Sequence, residues 1–194
     1  MDSGIKTWKE LFEIVCGLVT IFSLLGIWYS YTFSKKQIHF STINKCINDF
    51  RDLIRNIDLN TEKAGFQYID LVNEEFFYLE KGYLPLEISI EWIDGMIDHL
   101  PFITVDGTFR GNNKIRYFET ELSTNVLMYE YPRVYKTIKL TELIDFEKIY
   151  LIPVSDENLK MRRLERNKLI LFMISNLDLS KSKKRRARKI LRKI

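Results

Sequence analysis

The chain has 194 residues, of which 46% are hydrophobic and 29% carry a charge. This balance is typical of a folded protein and excludes an intrinsically disordered chain. Two cysteines, Cys16 and Cys46, are too few for a disulfide framework or for a zinc site of their own. We therefore expect a protein with a packed core in a reducing environment.

The formal net charge of +4 hides an uneven distribution along the chain. Residues 181–194, the basic tail, read KSKKRRARKILRKI and contain nine Lys or Arg and no acid. The rest of the chain has 21 basic and 26 acidic residues, a net charge of −5. Such a concentration of positive charge predicts an anionic partner for the tail.

An uncharged apolar run, IVCGLVTIFSLLGIWYSYTF, occupies residues 14–33 behind a short N-terminal tail, 1–13. A helix of this length spans about 30 Å, the thickness of the hydrocarbon core of a bilayer. A secretory signal has a shorter apolar region and a cleavage site of small residues, whereas this run ends in bulky aromatic residues. The run therefore predicts a transmembrane anchor, and the alternative is a buried helix of a soluble domain.

Basic residues around the anchor predict its orientation. Two precede the run and four follow it closely: Lys6 and Lys9, then Lys35, Lys36, Lys45 and Arg51. The positive-inside rule favours an external N-terminus and a cytoplasmic body. The sequence thus predicts a single-pass protein of the cell inner (plasma) membrane, with the lipid bilayer and its anionic headgroups as partners.

Small residues recur inside the anchor. Cys16, Thr20 and Ser23 follow one another at spacings of four and three, and Gly26 and Ser30 form a small-xxx-small pair. Such residues let transmembrane helices approach closely, which predicts self-association in the membrane. The alternative is that isolated small residues are simply common in membrane helices.

Residues 34–180 predict a helical cytoplasmic domain, so that the fold class is mostly α. A stripe at spacings of three and four continues the membrane helix beyond the anchor: Phe40, Ile43, Ile47, Phe50, Ile54 and Ile57. A second helix covers 62–82 and ends at Gly82. A third runs from Pro85 to Leu100, where Pro101 stops it.

The second half of this domain mixes turn and helix signals. Asp106-Gly107 predicts a short β-hairpin around 102–109. A helix is expected over 113–130 with Tyr129 among its inward residues, and 134–154 is ambiguous between short helix and strand. Ser155 caps a last helix, whose predicted inward residues are Leu159, Leu164, Leu169, Phe172 and Ile174.

Three short patterns carry a resemblance: NEEFFYLEKGYLP at 73–85, EWIDGMIDHLP at 91–101 and YPR at 131–133. With them the chain resembles an uncharacterised group of bacterial single-pass membrane proteins that have a small helical cytoplasmic domain. Members of that kind often look like mobile-element or phage-defence genes. The resemblance implies a layout of anchor and body, and it implies no catalytic residue.

Acidic residues form the most regular polar pattern of the body. Glu87, Glu91, Asp94 and Asp98 step by four, three and four, and therefore share one face of the third helix. Like charges at this spacing repel each other weakly. The face is either a solvated surface or a docking strip for cations, which a partner or the basic tail would supply.

Catalytic chemistry finds little support in the sequence. His39, His99 and Cys46 lack the context of a metal or nucleophile motif, and no phosphate-binding or hydrolase motif is present. An enzyme would need an unrecognised carboxylate site on Asp70, Glu74, Glu87 and Glu91, without an accompanying nucleophile. We therefore expect no catalytic, cofactor or metal site.

The predicted function is a membrane-anchored, non-enzymatic interaction or regulatory module that binds a protein partner or itself. One alternative is a membrane-perturbing effector of a bacterial phage-defence or toxin-like system. Another is nucleic-acid binding through the tail, which ranks below lipid because no aromatic residue is available for base stacking. The predicted lipid or anion contacts are Lys181, Lys183, Lys184, Arg185, Arg186, Arg188, Lys189, Arg192 and Lys193.

Overall fold

A computed structural model of the chain describes residues 2–56, 62–111, 124–150 and 155–193. The chain divides into two compact units, Met1–Ser41 and Thr42–Ile194. The described residues are mostly helical, which confirms the predicted fold class.

The first unit consists of the N-terminal part of helix α1 (Asp2–Asn56). Its large apolar side chains from Trp8 to Phe33 are between 49% and 73% exposed. The stretch Glu10–Leu53 is long enough and apolar enough to cross a membrane, and its most apolar window buries nothing within the chain. The predicted apolar N-terminal helix is thus confirmed by length and composition, and the predicted anchor lies inside this stretch.

The second unit begins with the end of α1, which buries Thr42, Cys46 and Leu53. The predicted stripe is only partly right, because Phe50 is 37% exposed and Ile47 is half-buried. A stripe of this periodicity fits two adjacent helix faces, and the packing against the next helix selects the face of Cys46 and Leu53. Ile57 lies outside the described residues.

Helices α2 (Glu62–Lys81) and α3 (Leu86–Met96) follow as predicted. Gly82 ends α2 at a φ of 77°, and the Tyr83 amide donates to the Tyr78 carbonyl at 2.8 Å. This positive φ is the conformation that favours glycine after a helix. The third helix ends earlier than predicted, since a turn from Ile97 to His99 precedes Pro101.

The predicted hairpin is confirmed. Strands β1 (Phe102–Ile103) and β2 (Phe109–Arg110) pair antiparallel, with Ile103 opposite Phe109. Gly107 has a φ of 83° in the connecting turn. The Leu140 amide also donates to the Ile103 carbonyl at 2.8 Å, and this bond fixes the hairpin to the following segment.

Three short helices form the next segment: α4 (Thr124–Glu130), α5 (Pro132–Ile138) and α6 (Phe146–Ile149). Residues 112–123, the start of the predicted helix over 113–130, lie outside the described residues. Within α4 the predicted inward Tyr129 is wrong, because it is 77% exposed while Leu127 is fully buried. The described part of the ambiguous segment forms α5, an isolated bridge at Lys139 and α6.

The longest helix of the second unit, α7 (Asp156–Asn176), begins at the predicted cap. The Ser155 hydroxyl accepts the Asn158 amide at 3.2 Å. Leu159 and Leu164 were predicted to point inward and do not, since they are 43% and 69% exposed. The buried face of α7 develops only further along the helix, and it includes Leu169, Phe172 and Ile174, as predicted.

The basic tail forms helix α8 (Lys181–Leu191), which packs against α3 and α7. The core of the second unit draws on the helices and the hairpin together. Its largest fully buried side chains are Phe76, Phe102, Ile69, Leu79, Ile93, Ile97, Leu100, Leu127, Ile138 and Ile149.

Candidate functional site: a basic groove between α7 and α8

Helix α8 is attached to the body through its apolar side. Ala187 is fully buried and Leu191 is 4% exposed. The Asn167 side-chain amide donates to the Leu191 carbonyl at 3.1 Å and so satisfies one of the last carbonyls of α8. The apolar residues of the tail thus contribute to the protein's own core, whereas the sequence had suggested a surface helix with Ile190 and Leu191 turned toward lipid.

Three basic residues of the tail hold α8 in place. Lys183 Nζ lies 3.3 Å from the Leu79 carbonyl, and Lys184 Nζ lies 2.7 Å from the Ser175 carbonyl. Both carbonyls belong to the last turns of helices, where the dipole favours a cation. On the other flank of α8, Arg186 forms an ion pair with Glu87.

The other six basic residues of the tail are exposed and have no ion-pair or hydrogen-bond partner within the described part of the chain. Four of them follow one another at spacings of four, three and four and therefore form one stripe along α8. These four are Lys181, Arg185, Arg188 and Arg192.

The stripe borders a groove of about 920 Å³ between α7 and α8. Five basic and two acidic residues line the groove, for a net charge of +3. The basic residues come from both helices: Lys160, Arg163, Lys168, Arg188 and Arg192. A concave surface of one sign attracts ions of the opposite sign.

Exposed leucines lie along the same groove. Leu159 and Leu164 line it from α7. Leu143 is 84% exposed, and its carbonyl accepts a hydrogen bond from Lys168 Nζ at 2.7 Å. Apolar side chains beside lysine and arginine form an amphipathic surface, which is the composition of interfacial membrane-binding elements.

The predicted acidic strip has partners within the protein. The side chain of Arg166 on α7 is 8% exposed and places Nε 2.6 Å from Asp94 and Nη1 2.9 Å from Asp98. Burial alone lowers the pKa of Arg166, but the hydrogen bonds to both carboxylates outweigh it and raise the pKa. Two acids of the strip thus bind α7 and a third, Glu87, binds α8.

The four acids considered for an enzymatic site lie in different surroundings. Glu74 accepts Lys45 Nζ at 2.6 Å and the Tyr78 hydroxyl, and Glu87 pairs with Arg186. Burial raises the pKa of Glu74, but these hydrogen bonds outweigh it and lower the pKa. Across the described ranges no group of His, Cys, Asp and Glu could hold a metal ion.

The small residues of the anchor are exposed on α1. The Thr20 hydroxyl donates to the Cys16 carbonyl and the Ser23 hydroxyl to the Val19 carbonyl, both at 2.8 Å. A Cβ added at Gly26 would meet nothing within 4 Å. The two hydroxyls are therefore satisfied within their own helix, and the role of this stripe in self-association stays a prediction.

The isolated nucleophile and metal-ligand candidates are structural. His99 Nδ1 lies 3.2 Å from the Gly95 carbonyl, and its ring packs on Tyr68 with centroids 5.6 Å apart. Burial raises the pKa of the Cys46 thiol to about 12, so that the thiol is protonated and unreactive at neutral pH. His39 is half-buried on α1.

The comparisons with known proteins leave the site to be interpreted on its own geometry. No protein-family model matches the chain, and neither a curated protein nor a solved structure is significantly similar to it.

The basic residues of α7 were missed in the sequence. Lys160, Arg163 and Lys168 lie in the stretch LKMRRLERNK, which mixes both signs of charge and does not stand out as the tail does. The signal was the excess of basic over acidic residues in that stretch. Only the packing of α8 against α7 brings these residues to the same surface as Arg188 and Arg192.

Proposed function

We propose that the protein is a membrane-anchored, non-enzymatic interaction module whose α7–α8 groove binds the anionic headgroups of the membrane that holds its anchor. Residues 14–33 cross the inner membrane and the second unit lies in the cytoplasm. The groove then holds this unit against the inner leaflet, where it meets a protein partner or a second copy.

The observation that carries this proposal is the way α8 is mounted on the body. Its apolar residues are used in the core and three of its cations fix its position. The four residues of the basic stripe consequently project from a folded surface rather than from a flexible tail. Each Lys or Arg near an anionic bilayer contributes about 1 kcal/mol of attraction.

The exposed leucines support a lipid surface over other polyanions. Leu143 and Leu164 are 84% and 69% exposed beside the groove, where they add apolar contact with the acyl boundary. A nucleic acid would gain little from them. Residues 181–193 include no aromatic side chain on which bases could stack.

The anchor makes anionic lipid the nearest polyanion available to the groove. Because α1 is part of the same chain, insertion of residues 14–33 places the second unit within reach of the leaflet surface at a high effective concentration. A modest intrinsic affinity for headgroups is then sufficient for contact.

Hydrogen exchange of the full chain in lipid nanodiscs tests the proposal. One set of discs contains phosphatidylcholine alone, and the other contains about 30% phosphatidylglycerol in addition. We expect the amides of α8 to exchange about fivefold or more slowly in the anionic discs, and this protection to disappear at about 0.5 M salt.

A matched pair of triple variants separates the groove from general charge. Arg185→Gln, Arg188→Gln and Arg192→Gln together should abolish the lipid-dependent protection. Arg55→Gln, Arg110→Gln and Lys136→Gln remove the same charge from exposed sites elsewhere and should retain it. Equal exchange in both kinds of disc, or protection by added duplex DNA but not by lipid, would contradict the proposal.

A further inference from the structure

A second cavity lies between the end of α1, α2 and α3, away from the basic groove. Its volume is about 390 Å³, within the range of small-molecule sites. Most of its lining is aromatic or aliphatic, with Phe50 and Trp92 on opposite helices and Tyr68 between them in sequence. Gly95 also lines it, so that one wall of the cavity has no side chain.

One carboxyl group faces this apolar lining. Glu75 is 9% exposed and lines the cavity from α2. Its carboxyl has no hydrogen-bond or ion-pair partner among the described residues. A buried carboxylate without a partner is costly in free energy, and such groups are usually compensated by a counter-ion or by protonation.

The charges around Glu75 make this region negative. Burial raises the pKa of Glu75 to about 8, and the nearby Glu74 and Asp49 add to the rise. Lys45 of α1 does not neutralise Glu75, because its amine binds Asp49 and Glu74 instead.

The other titratable and charged groups of the lining come from all three helices. They are Cys46 and Arg51 from α1, Tyr68 from α2, and Glu91 and His99 from α3. Burial raises the pKa of the Cys46 thiol and of the Tyr68 hydroxyl, and the charge of Glu75 adds to both rises. Both groups are therefore neutral at physiological pH.

We propose that this cavity binds a small organic ammonium ion, with the nitrogen at the Glu75 carboxylate and the apolar part against Tyr68, Phe50 and Trp92. The ligand supplies the positive charge that the carboxyl lacks within the described chain. The aromatic rings favour a cation further through their negative faces. This site is independent of the α7–α8 groove and of the membrane function proposed for it.

The proposal predicts a definite pH dependence. An ammonium ion pairs with ionised Glu75, so that binding below the pKa of about 8 must release the proton from this carboxyl. Affinity should therefore rise as the pH increases toward about 8 and level off above it. Arg51, Glu91 and His99 at the cavity do not reverse this sign, because Arg51 stays charged, and Glu91 and His99 only lose positive or gain negative charge as the pH rises.

Ligand-observed NMR and calorimetry on the full chain in neutral detergent micelles test the site. The probes are phenethylammonium, the uncharged phenethyl alcohol and the anionic phenylpropionate, which share an aromatic ring and differ in charge. We expect the ammonium ion to bind with a Kd on the order of 1 mM and at least about tenfold more tightly than either other probe. Equal binding of ammonium and alcohol, preference for the anion, or no binding of the ammonium ion would overturn the proposal.

Three variants connect binding to this cavity. Glu75→Gln keeps the size of the side chain and should reduce phenethylammonium affinity about tenfold and remove its pH dependence. Gly95→Leu should block the cavity, since a Cβ at Gly95 meets nothing within 4 Å and adds bulk without a clash at the backbone. Asp70→Asn removes an exposed charge from the same helix and should leave affinity unchanged. Unchanged affinity in Glu75→Gln with a native circular dichroism spectrum would also overturn the proposal.

Discussion

The two ends of helix α1 have a similar apolar composition and behave differently. From Trp8 to Phe33 the large apolar side chains are about half exposed or more, whereas Cys46 and Leu53 near the other end are almost fully buried. The N-terminal part buries nothing within the chain and depends on an external apolar solvent. The C-terminal part is stabilised by the second unit. Apolar sequence thus serves two purposes in one helix, and the four predictions below test that division.

The largest expected effect comes from truncating an aromatic ring in each unit. Phe76 is 1% exposed in the core of the second unit, and Phe22 is 70% exposed on α1. Phe76→Ala should lower the free energy of unfolding of the second unit by about 3–5 kcal/mol, because it leaves a cavity. Phe22→Ala should leave the thermal unfolding of the same unit unchanged. Comparable losses in the two variants, measured by circular dichroism in detergent, would show that the division is wrong.

The next effect is the pH dependence of stability through Glu75. Because the folded-state pKa of Glu75 is raised from 4.5 to about 8, the native state holds a proton that the unfolded state has released. Stability is therefore lost as the pH rises from about 4.5 through 8, by roughly 2–5 kcal/mol for this group.

Thermal melts of the full chain between these pH values measure that slope. Glu75→Gln, which cannot titrate, should flatten the decrease, and Asp70→Asn on the exposed side of α2 should keep the wild-type slope. An identical slope in Glu75→Gln and the wild type would show that Glu75 does not hold its proton in the native state.

A smaller effect is expected for the ion pairs that connect the helices of the second unit. Arg166→Gln leaves Asp94 and Asp98 without their cation and should cost about 2 kcal/mol, less than a fully buried pair because Asp94 is 48% exposed. Arg186 is 65% exposed, so Arg186→Gln should cost less than about 1 kcal/mol. Urea denaturation of both variants gives the two values, and a larger loss for Arg186→Gln would reverse the assigned importance of the pairs.

The smallest effect is expected in the anchor itself. The Thr20 hydroxyl is already bonded to the Cys16 carbonyl, so Thr20→Val should weaken self-association in lipid by at most about 0.6 kcal/mol. Gly26→Leu adds bulk on the small-residue stripe and should weaken it more if this stripe forms the contact. Energy transfer between labelled copies in vesicles measures both. A large loss in Thr20→Val alone would show that its hydroxyl bonds across helices.

Local signals in the sequence predicted much of the fold. Gly82 ended a helix, Ser155 began one, and Asp106-Gly107 marked the hairpin, because each depends on the backbone of a few neighbouring residues. Tyr129 and Leu164 were placed inward by periodicity alone, which identifies an apolar stripe and not the element that covers it.

The sites depend on contacts far apart in the chain and were harder to foresee. No spacing rule connects Arg166 with Asp94, or Lys183 with the end of α2. Glu75 did leave a signal, since it follows Tyr68 and Val72 at helical spacing and so shares their buried face. Distinguishing it from Glu74, which pairs with Lys45, requires the position of α1.

The membrane topology of the full chain in bacterial cells tests the central proposal most directly. Membranes are washed with alkaline carbonate, and intact spheroplasts are treated with an external protease. We predict that the protein stays in the washed membrane and that residues 42–194 are digested only after the spheroplasts are lysed. Release of the chain into the carbonate supernatant, or digestion of the second unit in intact spheroplasts, would contradict a membrane anchor with a cytoplasmic body.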